Sequence, residues 1–165
     1  MNTQQQASAA PIFAPVGMRP QARPLGELLI AMRALNAEAL AEGLAAQHLE
    51  GERIGETLVR LKHCSEWDVC RALAQQFGLP ARESVELPEI EDELVERLPI
   101  QYARSSTVLP WQLDRQFGVI RVFAADRLKI LDLDDLCGVY EALDLEITLM
   151  PKSTVLDLIN RVYAR

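Results

Sequence analysis

Between residues 23 and 79, hydrophobic residues recur at three- and four-residue steps, which is the spacing of amphipathic helices. One stripe runs from Leu25 to Met32, and a second runs from Ile54 to Leu61. Each stripe is followed by a capping residue and another apolar stretch that stops at a glycine. The pattern predicts four helices within 23–79, with these cap, inner and stop residues: Asn36, Leu40, Leu44 and Gly51, then Ser65, Val69, Leu73, Phe77 and Gly78.

The four predicted helices form an internal repeat. When the sequence is displaced by 29 residues, Gly26 falls on Gly55 and the cap Asn36 falls on Ser65. A glycine, a cap, leucines and a glutamine matched in one register indicate a duplicated two-helix unit. The further matches are Glu27 on Glu56, Leu29 on Leu58, Ile30 on Val59, Leu44 on Leu73, Ala45 on Ala74 and Gln47 on Gln76.

The rest of the chain predicts a small α/β unit. Two short acidic or proline-led helices over 90–98 and 99–105 precede strands at 108–113 and 119–124. A helix over 130–143, a strand over 145–150 and a last helix capped by Ser153 follow. The fold class is therefore α+β, with a three-stranded sheet and packed helices beside the four-helix repeat unit.

The remaining segments set the expected domain limits. Residues 1–22 are rich in Gln, Ala and Pro and predict a disordered tail; its apolar residues Ile12, Phe13 and Val16 leave ordering on a partner open. Residues 80–89 read as a linker between the repeat unit (23–79) and the α/β unit (90–165).

Composition restricts the class of function. The chain has 165 residues, 49% of them apolar, and a net charge of −7. This net negative charge argues against binding to nucleic acid or to anionic lipid through electrostatic attraction. The apolar runs are too short to cross a membrane, and Met1–Gln6 lacks the features of a secretory signal. We expect a cytoplasmic protein without direct membrane insertion.

Catalytic and metal-binding patterns are largely missing from the sequence. The chain has no Walker loop, no GxGxxG and no HExxH. Cys64, Cys70 and Cys137 are widely spaced and are expected to be reduced thiols. The acidic run between Glu89 and Glu96 and the aspartates at 132, 134 and 135 are more simply solvated helix faces than metal ligands. No catalytic residue, metal or cofactor is therefore predicted from the pattern.

The segment Arg53-Ile54-Gly55-Glu56 is the most informative one for binding. A glycine at a helix start leaves backbone N–H groups open to an anion, and an adjacent arginine can bind phosphate. The repeat places a second such start at Arg23-Pro24-Leu25-Gly26. The alternative is that both glycines only permit close packing and that Arg53 is an exposed charge.

The segments LGELLI, RIGETLV and SEWDVCRALAQQFGLP, with LINRVY near the end, resemble the amino-terminal domain of type II secretion and type IV pilus ATPases, the GspE/PilB family. The resemblance implies a non-catalytic domain that docks its ATPase on the cytoplasmic part of a GspL-like inner-membrane protein. It would place the domain peripherally at the inner membrane. The ATPase core would lie elsewhere in a longer parent protein, of which Met1 is the expected native start.

In relatives called MshEN domains, the same repeat binds cyclic di-GMP. The resemblance carries eight candidate binding residues onto this chain: Arg23, Leu25, Gly26, Gln47, Arg53, Ile54, Gly55 and Gln76. Three positions depart from that motif: Pro24 stands at the first arginine, and Arg33 and Lys62 stand at the two inner glycines. Docking is the leading hypothesis, a cyclic di-GMP sensor the alternative, and an independent enzyme the third.

Overall fold

The computed structural model describes residues 23–126 and 134–164. Its first part contains the four predicted helices, which confirms the helical repeat unit. They are α1 (Leu25–Ala31), α2 (Ala37–Glu50), α3 (Ile54–Arg60) and α4 (Glu66–Phe77). The predicted tail lies outside the described residues.

Matching capping groups begin and end the two longer helices. The Asn36 side chain accepts a hydrogen bond from the Ala39 N–H at 2.8 Å, and the Ser65 hydroxyl accepts one from the Asp68 N–H at 3.0 Å. The Asp68 carboxylate accepts the Ser65 N–H in return, which completes a capping box. The Ser65 hydroxyl also donates to this carboxylate at 2.6 Å, and this bond, followed by the Ser65 N–H bond and Arg71, holds the pKa of Asp68 below its usual value. Gly51 and Gly78 end the helices in the left-handed conformation, with φ of 68° and 64°.

The core of the repeat unit is built around the equivalent residues Leu29 and Leu58. Both are fully buried, and they pack with Leu28, Leu35 and Ala72. The prediction of Leu44 as an inner residue is wrong, since its side chain is 44% exposed. The helical spacing placed Leu44 on a face that the core of this unit does not use.

The two short helices end in identical turns with a basic residue at the strained position. After α1, the Ala34 N–H bonds to the Leu29 carbonyl and the Arg33 N–H to that of Ile30. Lys62 occupies the same place after α3. This is a Schellman motif, whose left-handed residue is usually glycine. Arg33 and Lys62 have φ of 58° and 61°, so each carries a Cβ in a conformation that disfavours one.

Replacing the strained basic residues by glycine is expected to stabilise the protein. Arg33→Gly and Lys62→Gly should each raise the free energy of unfolding by about 0.5–1 kcal/mol, because relief of the left-handed strain exceeds the added chain entropy. Urea unfolding measures this difference. Arg33→Ala and Lys62→Ala are the controls, because alanine keeps the Cβ. Equal stability of the glycine and alanine variants would contradict the explanation.

A three-stranded sheet with helices against it forms the second part of the chain, as predicted. The elements are α5 (Asp92–Glu96), α6 (Ile100–Ser106), β1 (Val108–Asp114), β2 (Val119–Ala124), α7 (Asp134–Tyr140), β3 (Asp144–Leu149) and α8 (Lys152–Val162). The central strand β2 pairs antiparallel with β1 and parallel with β3. The parallel pair requires a long connection, and helix α7 provides part of it.

Helices α5 to α8 cover one continuous apolar core on this sheet. Phe123, Ile120 and Ile159 are fully buried in it, and the Trp111 ring stacks on Phe123 at 5.2 Å between centroids. The buried Tyr140 hydroxyl donates to the Leu94 carbonyl at 2.6 Å, and burial raises the Tyr140 pKa. This bond fixes α7 against α5.

The start of the last helix differs from the prediction. Ser153 is not the cap of α8: Pro151 occupies that position, and the Ser153 N–H and hydroxyl both donate to Glu66 of α4. The first residues of the helix predicted over 130–143, with Asp132, lie outside the described residues.

The helical unit packs on the α/β unit through α4. Cys70 and Ala74 of α4 form a cluster with the fully buried Leu149 at the end of β3. The backbone of the predicted linker joins the same place, because Ala81 forms a parallel bridge with Leu149. The Arg82 N–H also donates to the Leu149 carbonyl at 2.9 Å. Backbone bonds therefore tie this segment to the sheet, while the exact domain limits stay a prediction.

Candidate functional site

A cavity of about 870 Å³ lies where the second repeat meets the α/β unit. Helices α3 and α4 form one wall, and the ends of β2 and β3 with the start of α8 form the other. We call it the Arg53 cavity. Of the eight candidate binding residues, five line it: Leu25, Arg53, Ile54, Gly55 and Gln76.

The other three candidates lie apart from the lining or only at its edge. Arg23 approaches through its backbone, since its carbonyl accepts the Gln76 side-chain N–H at 2.8 Å. Gly26 is buried beneath Leu40, and Gln47 lies near the end of α2. The candidate residues of the second repeat therefore lie together around the Arg53 cavity. Of the first repeat's candidate residues, Leu25 lines the cavity and the others do not.

Acidic side chains partner the basic groups of the Arg53 cavity. Arg53 forms an ion pair with Asp126, just after β2. Arg60 pairs with Glu52 at 3.1 Å, and Lys152 pairs with Glu56 at 3.2 Å. With Glu66, the lining holds four acids against three bases. In this arrangement the cavity has no excess of positive charge for an anion.

Neighbouring side chains occupy the space beside the two repeat glycines, Gly26 and Gly55. A Cβ on Gly26 would lie 2.5 Å from Leu40, and a Cβ on Gly55 would lie 2.9 Å from Val69. Leu40 and Val69 are themselves equivalent under the 29-residue displacement. Each glycine therefore receives the second helix of its own repeat, which supports the packing interpretation. Helices α1 and α3 have only seven residues each, so neither presents a long helix dipole.

Arg33 and Lys62 lie in a different place from the Arg53 cavity. Both are exposed and line a shallow depression of about 660 Å³ with His63, which pairs with Glu42 at 3.0 Å. The side chains at the two inner glycine positions thus do not enter the cavity. The left-handed backbone gives a local reason for glycine at these positions.

Several lining residues could not be found from the sequence. Asp126, Lys152 and Glu66 come from three separate segments, and only the folded chain brings them together. The nearest sequence signal was Pro151, which indicated the end of the strand predicted over 145–150 but not which residues lie beside it in space. In the described ranges, no group of three or more His, Cys, Asp or Glu side chains is placed to hold a metal ion.

The family comparison matches the MshEN domain over residues 77–165. The chain belongs to the MshEN domain family. This confirms the family inferred from the sequence, the amino-terminal domains of GspE/PilB ATPases. The MshEN match covers the α/β unit and the end of α4, whereas the motifs that resemble the family lie mainly in the helical repeat.

Two relatives of this chain are type IV pilus assembly ATPases named PilB. The Thermus thermophilus protein is 29% identical over 117 residues, which is 69% of this chain and 13% of the relative. The Myxococcus xanthus protein is 26% identical over 140 residues, which is 85% of this chain and 24% of the relative. The MshEN chain thus spans a quarter or less of these proteins.

Solved structures agree with the α+β fold. A structure of MshE with cdg, cyclic di-GMP, has a TM-score of 0.68 and 26% identity, covering 86% of this chain and 99% of that one. The amino-terminal domain of XpsE has a TM-score of 0.60 at 21% identity and covers 83% of this chain and 92% of that one. The MshE likeness extends over both units. In the described part of the MshEN chain, no helix has the length and apolarity needed to cross a bilayer.

Proposed function

We propose that this chain is a non-catalytic interaction domain of a GspE/PilB-type ATPase. It docks the ATPase on the cytoplasmic part of a GspL-like inner-membrane assembly protein. The ATPase core of the parent protein performs the hydrolysis, and the domain lies peripherally at the membrane through its partner. The observation that carries the proposal is the match of this chain to a small share of two pilus assembly ATPases.

The geometry is consistent with an adaptor. One unit of the chain is a four-helix repeat whose α3 and α4 contact the α/β unit, and whose α2 exposes apolar side chains. Exposed apolar surface on a folded domain is typical of protein interfaces. The two units are joined by ion pairs and by a buried cluster.

Binding of the partner tests this proposal. The chain should form a complex with the cytoplasmic domain of the GspL-like protein of its own organism, at micromolar affinity by isothermal titration calorimetry. An unrelated acidic domain of similar net charge serves as the control for purely electrostatic attraction. Absence of binding at concentrations of about 100 μM would contradict the docking role. A Kd of about 100 μM corresponds to a binding free energy of about −5.5 kcal/mol.

A cyclic di-GMP sensor is the second candidate function. Two observations favour it: the likeness to MshE, solved with this ligand, and the gathering of Arg53, Ile54, Gly55 and Gln76 around one cavity. The ligand's phosphates would have to replace Asp126 as the partner of Arg53. The charge arrangement makes this replacement the critical step.

Titration with cyclic di-GMP decides the second candidate. If the chain is a sensor, it binds at micromolar affinity, and Arg53→Ala removes binding because the phosphates lose their guanidinium partner. Asp126→Asn should then tighten binding, because Arg53 is released from its ion pair. Arg71→Ala on the far side of α4 is the control and leaves affinity unchanged. Absence of heat with both the natural chain and Asp126→Asn would end this candidate.

A further inference from the structure

The internal repeat gives α2 and α4 equivalent faces. Under the 29-residue displacement, Ala41 corresponds to Cys70, Leu44 to Leu73 and Ala45 to Ala74. On each helix these residues lie within four positions of one another, so they share one face. The two faces have closely similar size and apolar character. Their surroundings differ.

The face on α4 is covered by the chain's own α/β unit. Cys70 is 4% exposed and Ala74 is 6% exposed, and both pack against Leu149. Leu73 and Ile147 lie at the border of the same cluster. The occupant of this face is therefore an apolar strand end.

Within the part of the chain that the structure describes, no segment covers the corresponding face on α2. Leu44 is 44% exposed, and Ala41 and Ala45 are exposed with it. A single exposed leucine is ordinary on a protein surface. This one differs because its counterpart in the repeat is part of an interface. The repeat thus carries two similar apolar faces and covers one of them.

Charged residues around the two faces indicate the chemistry of the missing occupant. At the covered face, Glu56 pairs with Lys152, and Glu66 accepts the N–H of Ser153 at 3.0 Å, both from the segment that follows β3. Glu27 of α1 is the counterpart of Glu56 and is exposed. Glu38 is exposed on α2 itself. An occupant that complements these carboxylates carries lysine or arginine.

We propose that the open face of α2, with Ala41, Leu44 and Ala45 at its centre, is the docking surface for the partner protein. The occupant is a protein surface with an apolar strand end flanked by basic residues. A second copy of this chain would not present its Leu149 strand end to this face, because that strand end is buried under the copy's own α4. This inference rests on the proposed docking function and assigns that function to one helix face.

Substitution at the open face tests the assignment, with the cytoplasmic domain of the GspL-like protein as the probe. Leu44→Asp is expected to weaken binding at least about tenfold in calorimetry, since a central apolar contact is replaced by a charge. Ala45→Glu, at an exposed helix position that accepts glutamate, should weaken it similarly. Leu143→Asp is the matched control, because Leu143 is 88% exposed in the α/β unit and is expected to leave affinity unchanged.

The outcomes separate the surface from the function. If the natural chain binds and both α2 variants bind equally well, the face is wrong while the docking role stands. If the natural chain does not bind, both proposals fail. If Leu44→Asp instead lowers the oligomeric mass that the chain shows without its partner in analytical ultracentrifugation, the face joins copies of this chain. The proposed occupant is then wrong. Circular dichroism of each variant confirms that the helices remain folded.

Discussion

Leu58→Ala is expected to lower the free energy of unfolding by about 3–5 kcal/mol, and Leu29→Ala by a similar amount. Both leucines are fully buried in the cluster at the centre of the repeat unit. Each substitution removes apolar contact and leaves a cavity between short helices that have little stability of their own. Since small domains are stable by about 5–15 kcal/mol, either change removes a large share.

The comparison between the two leucines tests the duplication itself. Equivalent positions in a duplicated unit should respond alike, within about 1 kcal/mol in urea unfolding. Leu44→Ala is the control, because the exposed Leu44 is expected to change stability by less than about 1 kcal/mol. A loss below about 1 kcal/mol for Leu29→Ala, beside a large loss for Leu58→Ala, would show that the two repeats are not equivalent in packing.

The second large effect is expected at the junction of the two units. Leu149→Ala should destabilise the protein by about 2–5 kcal/mol, since Leu149 is fully buried between β3 and α4. It should also loosen α4 from the sheet. Trp67 borders this cluster, so in a Trp111→Phe background its fluorescence reports the junction. We expect Trp67 emission to shift to longer wavelength as water reaches the ring.

A core position away from the junction provides the control for Leu149. Leu136 of α7 is 1% exposed and packs in the main sheet core. Leu136→Ala should destabilise to a similar degree without moving the Trp67 emission of the folded protein. If Leu149→Ala leaves that emission unchanged as well, Leu149 does not hold the two units together.

Local rules recovered most of the fold. Asn36 and Ser65 are caps because their side chains accept backbone N–H groups, and this needs only the residues that follow. Gly51 and Gly78 end helices because they adopt a left-handed conformation. The strand pattern over 119–124 indicated β2, the central strand. Each of these signals is contained within a few neighbouring residues.

Contacts between distant segments were not predictable in the same way. Periodicity shows that Leu44 and Leu73 belong to equivalent faces, but only the packing of Leu149 shows that one face is covered and the other open. The ion pair of Arg53 with Asp126 joins segments with no shared pattern. Ser153 is a residue type that often caps helices, but its hydroxyl donates a hydrogen bond to Glu66 of α4. Such choices depend on how the two units meet.

The family motif gains a physical explanation from the same geometry. Gly26 and Gly55 admit Leu40 and Val69, and the inner positions, here Arg33 and Lys62, require a left-handed turn. All four features serve the packing of a two-helix unit. Among the polar residues of the motif, Arg53 and Gln76 line the Arg53 cavity and are placed to contact a ligand there. A ligand role for the motif in this chain therefore depends mainly on these two.

Hydrogen–deuterium exchange with and without the GspL-like cytoplasmic domain tests the docking account most directly. The account predicts slower exchange in α2, Ala37–Glu50, with smaller changes in α1 and none in β1 or β2. Protection confined to the α/β unit, for example around the exposed Phe117 and Leu143, would contradict docking through the helical repeat.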